Sequence, residues 1–340
     1  LRIVALLFVI VIHYSDKALP LLTPEKGFHY LLFLRSLSAG AVDIFIIISG
    51  YFMCTTFNRP LGKPASLLTQ VIYRNLLVYG ITIALGVQVF DAHDFTARLV
   101  PASYYPILFC TLYLLSPWLN MVFNKKNFPV FLLTIFLIFS VWQTMVDLSE
   151  EILGFEWFGL SAVGAKGGQA GFNIVNFILL YYVGGYLRLV EIPEKINNRK
   201  VLLVVACMSL LIIFVWSEFV YGLPRKEMMS AVAYHNPFVI LLSASLFLLF
   251  KDLHFRSKVV NALAKVTYLC FLIHSGIIAN VDIGISNACE RGFGFLMLNY
   301  CVFTIIMFAL SGIALLLYNK TIAPICNKLN KYEIPYQNHQ

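Results

Sequence analysis

Apolar stretches long enough to cross a bilayer recur from one end of the chain to the other, separated by short polar segments. They fall at about 1–15, 37–57, 70–90, 103–123, 128–146, 173–190, 200–217, 236–250, 263–281 and 295–318. The pattern predicts an all-α, polytopic integral membrane protein of about ten transmembrane helices. It divides the chain into a membrane domain over 1–318 and a short polar cytoplasmic tail over 319–340. The first run is short for a span and starts at Leu1, so a few residues are expected upstream. No small-residue cleavage pattern follows it, so it reads as a spanning helix rather than a signal peptide. No internal repeat or low-complexity tract stands out.

Composition agrees with this pattern. Hydrophobic residues make up 60% of the chain, charged residues 12%, and mean hydropathy is +0.80. A soluble domain carries about twice that charged fraction. The net charge of +8 does not signal nucleic acid, because the basic residues sit in short loops between apolar runs. With ten spans, alternate loops collect about two thirds of the Lys and Arg on one side, from Arg2, Arg59 and Lys63 through Lys328 and Lys331. The other side collects most of the acids, among them Asp91, Asp147, Glu150, Glu151, Glu218 and Glu290. The positive-inside rule then places both termini in the cytoplasm. The seven cysteines show neither a CxxC pair nor Cys/His ligand spacing, so no metal site is expected.

Ionisable residues inside the spans carry the candidate chemistry, because they are costly in hydrocarbon. Arg2 and His13 share the first apolar run. Eleven residues at about 100° each bring both to one helix face, roughly 16 Å apart along the axis. Without further information, Arg2 reads equally as a cytoplasmic flank and His13 as an interhelical hydrogen-bonder. Asp43 is the only charge in SLSAGAVDIFIIISGYFM, and His13 is its nearest partner by expected depth. A carboxylate on one imidazole nitrogen would raise the basicity of the other. His274, in KVTYLCFLIHSGI, falls at a similar depth. Arg74 is read at the cytoplasmic end of the third span, where with Arg2 it would form an anion site; guanidinium groups bind phosphate with forked geometry. Ser49-Gly50 reads as a close-packing element at least as readily as a catalytic serine. The outer loop at about 147–172 sets Trp157 and Phe158 beside Glu150, Glu151 and Glu156 before a Gly-rich stretch. That composition suits sugar recognition, but it is ordinary for an interfacial anchor followed by a linker, which is the favoured reading.

Taken together, these segments resemble the acyltransferase-3 family of bacterial membrane proteins. The family's Arg and His with ten residues between are matched by Arg2 and His13. Its G-V-D-[IL]-F-F-x-x-S-G-[YF] pattern is matched by Ala41-Val42-Asp43-Ile44-Phe45 and Ser49-Gly50-Tyr51. Its Y-x-x-Y-L-x-H pattern appears as Tyr268, Phe271, Leu272 and His274. A W-Y…L-Y-L-x-x-P segment appears as Tyr104-Tyr105…Leu112-Tyr113-Leu114-Leu115-Ser116-Pro117. There are departures. Val71 stands where many relatives carry the first arginine of R-x-x-R, leaving Arg74 alone. Phe109, Cys110 and Thr111 occupy a region where many relatives have a glutamate, and Phe271 replaces a tyrosine.

The resemblance implies transfer of an acyl group, usually acetyl, from cytoplasmic acetyl-CoA or another acyl-CoA to a hydroxyl of a cell-surface or lipid-linked glycan. It implies a place in the bacterial cytoplasmic membrane and no metal. His13 would be the general base, oriented by Asp43, or would carry a transient acyl group. His274 would move a second proton or stabilise the thioester oxyanion. Arg2 and Arg74 would hold the CoA phosphates, and Tyr104, Tyr105 and Trp157 are the candidates for acceptor contact. A separate extracytoplasmic transferase is an expected partner if the membrane domain does not acylate the acceptor directly. Two other classes fit the topology alone: a transporter or flippase, and a non-catalytic subunit of a glycan-assembly complex.

Overall fold

A computed structural model describes all residues except 192, 196, 224–228, 254–256 and 335–340. Arg225, Lys226, Glu227 and Arg256, which enter the charge comparison, lie outside the described residues. The main helices are α1 (Arg2–Ala18), α2 (Phe28–Leu37), α3 (Ala41–Met53), α4 (Gly62–Ala84), α5 (Tyr104–Phe123), α6 (Phe128–Leu153), α7 (Ile174–Leu189), α8 (Arg199–Tyr221), α9 (Pro237–Lys251), α10 (Lys258–Asn280), α11 (Phe293–Thr321) and α12 (Ala323–Asn327). Among the described residues, nine helical segments are long and apolar enough to cross a membrane. The shorter apolar helix α7 has 16 residues. The protein is an all-α polytopic membrane protein.

Several helices outrun their apolar windows. The second spanning segment begins at Phe28 instead of about 37, and α4 begins at Gly62 instead of about 70. Hydropathy marks the thickness of hydrocarbon, whereas helices continue through polar flanks until a cap stops them. The caps are visible in the sequence. Asn173, Asn198, Asn236 and Ser257 each accept a backbone N–H of the first turn that follows, at α7, α8, α9 and α10. Within α6, residues Leu137–Trp142 form a π-helical turn, a feature frequent at functional positions.

The chain divides into two compact units, taken one at a time. The first comprises 32–57 and 114–255. Its centre is α3 against α7, where small residues let the backbones meet. A Cβ on Gly50 would overlap the Tyr181 carbonyl, and one on Gly184 would overlap the Ile47 carbonyl. In hydrocarbon such close approach replaces the hydrophobic drive that water would supply. Ser49 Oγ donates to Phe45 O at 2.8 Å, one turn back, so its hydroxyl serves the helix. Asn120 donates to Met53 O (2.9 Å) and Thr56 O (2.7 Å), and accepts from the Tyr181 hydroxyl (2.7 Å). That network satisfies carbonyls freed at the end of α3.

The second unit comprises 2–31, 58–113 and 256–340. Here α10 packs against α1, α4 and α11. The Tyr14 hydroxyl donates to Asn299 Oδ1 at 2.7 Å, tying α1 to α11. Residues 323–334 of the segment read as a tail are folded. They form α12, a 3₁₀ turn (Lys328–Lys331) and strand β2 (Glu333–Ile334), which pairs antiparallel with β1 (Arg59–Pro60).

Candidate active site

The second unit brings His13 and His274 together and carries Arg74 on α4, which packs against α10. The His13 and His274 rings are 5.2 Å apart, centroid to centroid, tilted by 53°. His274 is fully buried. Its Nδ1 lies 2.9 Å from Cys270 O, one turn back. A carbonyl only accepts, so Nδ1 carries the proton and Nε2 presents a lone pair. That Nε2 is buried without a hydrogen-bond partner among the described residues. A neutral imidazole with one nitrogen fixed and the other free is the arrangement a general base needs.

Arg74 is the third candidate. Because α4 starts at Gly62, Arg74 stands twelve residues along it, roughly 18 Å from the helix start at about 1.5 Å per residue. The sequence reading starts this span at about 70, whereas the helix that carries Arg74 begins at Gly62. One terminal guanidinium nitrogen packs against Gly276, 3.4 Å from where a Cβ would sit, two residues beyond His274 on α10. The Arg74 Nε is buried and lacks a partner among the described residues. His274 and Tyr268 both fall within its electrostatic reach. A partly desolvated guanidinium on the helix packed against that of His274 can stabilise charge developing on an acyl carbonyl oxygen.

The aromatic neighbours are ordered around this region. Tyr105 is buried and its ring lies 5.0 Å from that of Phe271, which is 6.2 Å from His274. Tyr104, the first residue of α5, is exposed. Arg2 begins α1 and is exposed.

A family model describing an acyltransferase domain matches residues 1–318. The chain belongs to the acyltransferase-3 family. It is a membrane acyltransferase, and His13, Arg74 and His274 lie inside the matched span. No curated protein and no solved structure matches the chain.

In the first unit of this acyltransferase, Asp43 is completely buried. It sits in the first turn of α3, where the helix N-terminus favours an anion. Neither carboxylate oxygen has a hydrogen-bond partner among the described residues. His13 lies in the other unit, so the pairing of the two stays an expectation.

Trp157 spends its polar groups within the first unit. Its backbone N–H donates to Glu150 Oε1 (2.9 Å) and its indole N–H to Ser149 Oγ (3.0 Å). These bonds fasten the loop to the end of α6 and fix the position of the Trp157 ring. Lys166 pairs with Glu156 at 2.7 Å on the exposed side of the loop, and this carboxylate raises the pKa of the lysine.

Sequence reasoning missed two groupings. The first is a buried pair in the first unit, His235 Nε2 and Asp147 Oδ2, 3.1 Å apart. Asp147 Oδ1 also accepts from Gln143 (2.9 Å) and from the Gly168 backbone (2.7 Å). Ser140, in the π-turn, donates to His235 O at 2.6 Å. The pair clamps the Gly-rich loop onto α6 and the start of α9. Asn236, the α9 cap next door, was its only local signal. The second grouping is Arg59 and Lys63 around Tyr113 in the second unit. Arg59 Cζ is 5.4 Å and Lys63 Nζ 4.8 Å from the ring centroid. The sequence lists both as cytoplasmic flanks, and nothing local shows that they share one ring. A third set, the exposed Asp91, His93 and Asp94, brings three possible metal-ligand atoms within 4.8 Å of one another. Asp91 is already the cap of its own short helix.

Proposed function

We propose that this acyltransferase moves an acyl group, in the simplest case acetyl, from cytoplasmic acyl-CoA to a hydroxyl of a cell-surface or lipid-linked glycan in the bacterial cytoplasmic membrane. The observation that carries the reading is the pair of imidazoles with ring centroids 5.2 Å apart, His274 fully buried and its Nε2 without a hydrogen-bond partner among the described residues. Acyl transfer to a hydroxyl needs a group to take the hydroxyl proton and a group to stabilise the tetrahedral oxyanion. In this reading His13 takes the proton as the hydroxyl oxygen bonds to the acyl carbon. Arg74 would stabilise the developing oxyanion, and His274, whose Nε2 presents a lone pair, would move the second proton. The carbon–sulfur bond then breaks, and the thiolate leaves with the proton returned from the imidazole. A transient acyl-imidazole on His13 is the covalent variant of the same chemistry. Tyr105 lines the buried side of the site, and the exposed Tyr104 is the better placed of the two for acceptor contact. No metal enters the scheme.

The test is a transfer assay on membranes containing the protein, supplied with acetyl-CoA labelled in the acetyl group. Label recovered as alkali-labile ester on glycan, with stoichiometric release of CoA, is the expected result. Acetyl-CoA that stays intact while glycan is present contradicts the reading.

A further inference from the structure

We propose that the folded C-terminal segment and the start of α4 build a basic platform that recognises the nucleotide phosphates of the acyl donor. The inference rests on the acyl-CoA reading above and locates the donor's phosphate end, for which Arg2 and Arg74 were the sequence candidates.

The platform is assembled by backbone pairing. Pro60 of β1 lies opposite Glu333 of β2, and Leu61 N donates to Tyr332 O at 2.9 Å. Gly62 lets the chain approach Asn330, where a Cβ would overlap the side-chain oxygen. The Tyr113 hydroxyl donates to Pro60 O at 3.3 Å. Residues 58–63 and 328–333 are thereby held side by side within the second unit. They carry Arg59, Lys63, Lys328 and Lys331, and Glu333 is the only carboxylate among them.

Charge and exposure divide the roles. Arg59 is buried, 2% exposed, and supplies field rather than contact. Lys63, Lys328 and Lys331 are exposed, as is Arg2. Arg2 and Arg59 both act electrostatically on Lys63. Lys63 Nζ stands 4.8 Å from the Tyr113 centroid and 5.7 Å from that of Phe109, and Lys331 Nζ lies 5.0 Å from Tyr332. Cations resting on aromatic faces keep their charge while their reach is narrowed. No side chain caps α4, so its first amides add positive potential at the same place.

Concentrating like charges costs free energy that a multiply charged anion recovers. The chemistry fits a diphosphate plus a phosphate monoester, the nucleotide end of CoA. It exceeds what the single phosphodiester of a carrier-protein thioester requires. Lys328, Lys331 and Glu333 lie beyond residue 318, where the family match stops. This part of the platform therefore comes from outside the shared domain.

The experiment uses the full-length protein in phosphatidylcholine nanodiscs, titrated with CoA and with 3′-dephospho-CoA. The variants are Lys63→Gln, Lys331→Gln, the double variant and Lys63→Arg; melting temperatures check that each remains folded. Wild type is expected to bind CoA about tenfold more tightly than the dephosphorylated form. The double variant is expected to lose about tenfold or more in CoA affinity, a typical loss for charge-assisted contacts. The preference for the 3′-phosphate should collapse with it, and Lys63→Arg should keep most of the affinity. Unchanged CoA affinity in a folded double variant overturns the platform. If those variants instead lose affinity only for vesicles containing phosphatidylglycerol, the cluster binds lipid headgroups and the proposal is equally overturned. Should wild type neither bind CoA nor consume acetyl-CoA, the acyl-CoA reading itself fails, whatever the variants do.

Discussion

Arg74 stands roughly 18 Å into α4 with its Nε buried and unpartnered among the described residues. A cation in that position costs several kcal/mol unless something offsets it. The proposed function supplies the offset during turnover, as charge on the acyl oxygen. Arg74→Ala is accordingly expected to lower the maximal rate by about 10² to 10³, the usual effect of removing one oxyanion donor. Arg74→Lys should recover part of it, because charge returns without the planar fork. Steady-state kinetics at saturating acyl-CoA decide the matter. A change confined to KM for acyl-CoA would make Arg74 a phosphate contact, as its expected place at the helix entrance suggests. Asp43 poses a related question. Its carboxylate is completely buried with both oxygens unpartnered among the described residues. Asp43→Asn keeps the shape and removes the charge, and it is expected to be nearly as inactive as Asp43→Ala. Full activity in the Asn variant would reduce Asp43 to a packing role.

Helix boundaries are where sequence and structure part company, and the reason is physical. The polar entry GKPASLLTQ looks like a loop by hydropathy, yet it is the first two turns of α4. The residues carrying sequence-local signals were legible: the Arg2–His13 spacing, the lone Asp43, the Asn caps, and Ser49-Gly50 as a packing element. Gly50→Ala is expected to destabilise the protein by about 1–3 kcal/mol through overlap with Tyr181, the range for overpacking. An unchanged melting temperature would show that α3 and α7 can move apart. Long-range pairings were not legible. Asp147 and His235 sit 88 positions apart in sequence, each at the polar end of an apolar run. Removing one partner of a buried pair typically costs about 3–5 kcal/mol. His235→Ala or Asp147→Ala should therefore lower the melting temperature markedly. The double variant should lose less than the sum of the two, because neither leaves an orphaned partner. Additive losses would mean the two side chains are not coupled.

At the scale of the whole molecule, the apolar repeats and the one-sided distribution of charge define the class, and the family match over 1–318 defines the chemistry as acyl transfer. The two units divide the candidate residues. His13, His274, Arg74, Tyr105 and the basic platform belong to the second unit, while Asp43 and the His235–Asp147 clamp belong to the first. The sequence reading treated 319–340 as an appendage because its residues are polar. The structure uses 328–334 as a turn and strand against the start of α4, a pairing that no local pattern announces. The account's central claim is that the paired imidazoles of the second unit perform the transfer. Its most direct test is His13→Ala, inserted and accumulated to the wild-type level, in the labelled acetyl-CoA assay. Loss of a general base costs about 10² to 10⁴ in rate, so ester formation on glycan should fall by at least about a hundredfold while CoA binding persists. Near-normal acylation by a well-expressed His13→Ala protein would contradict the account.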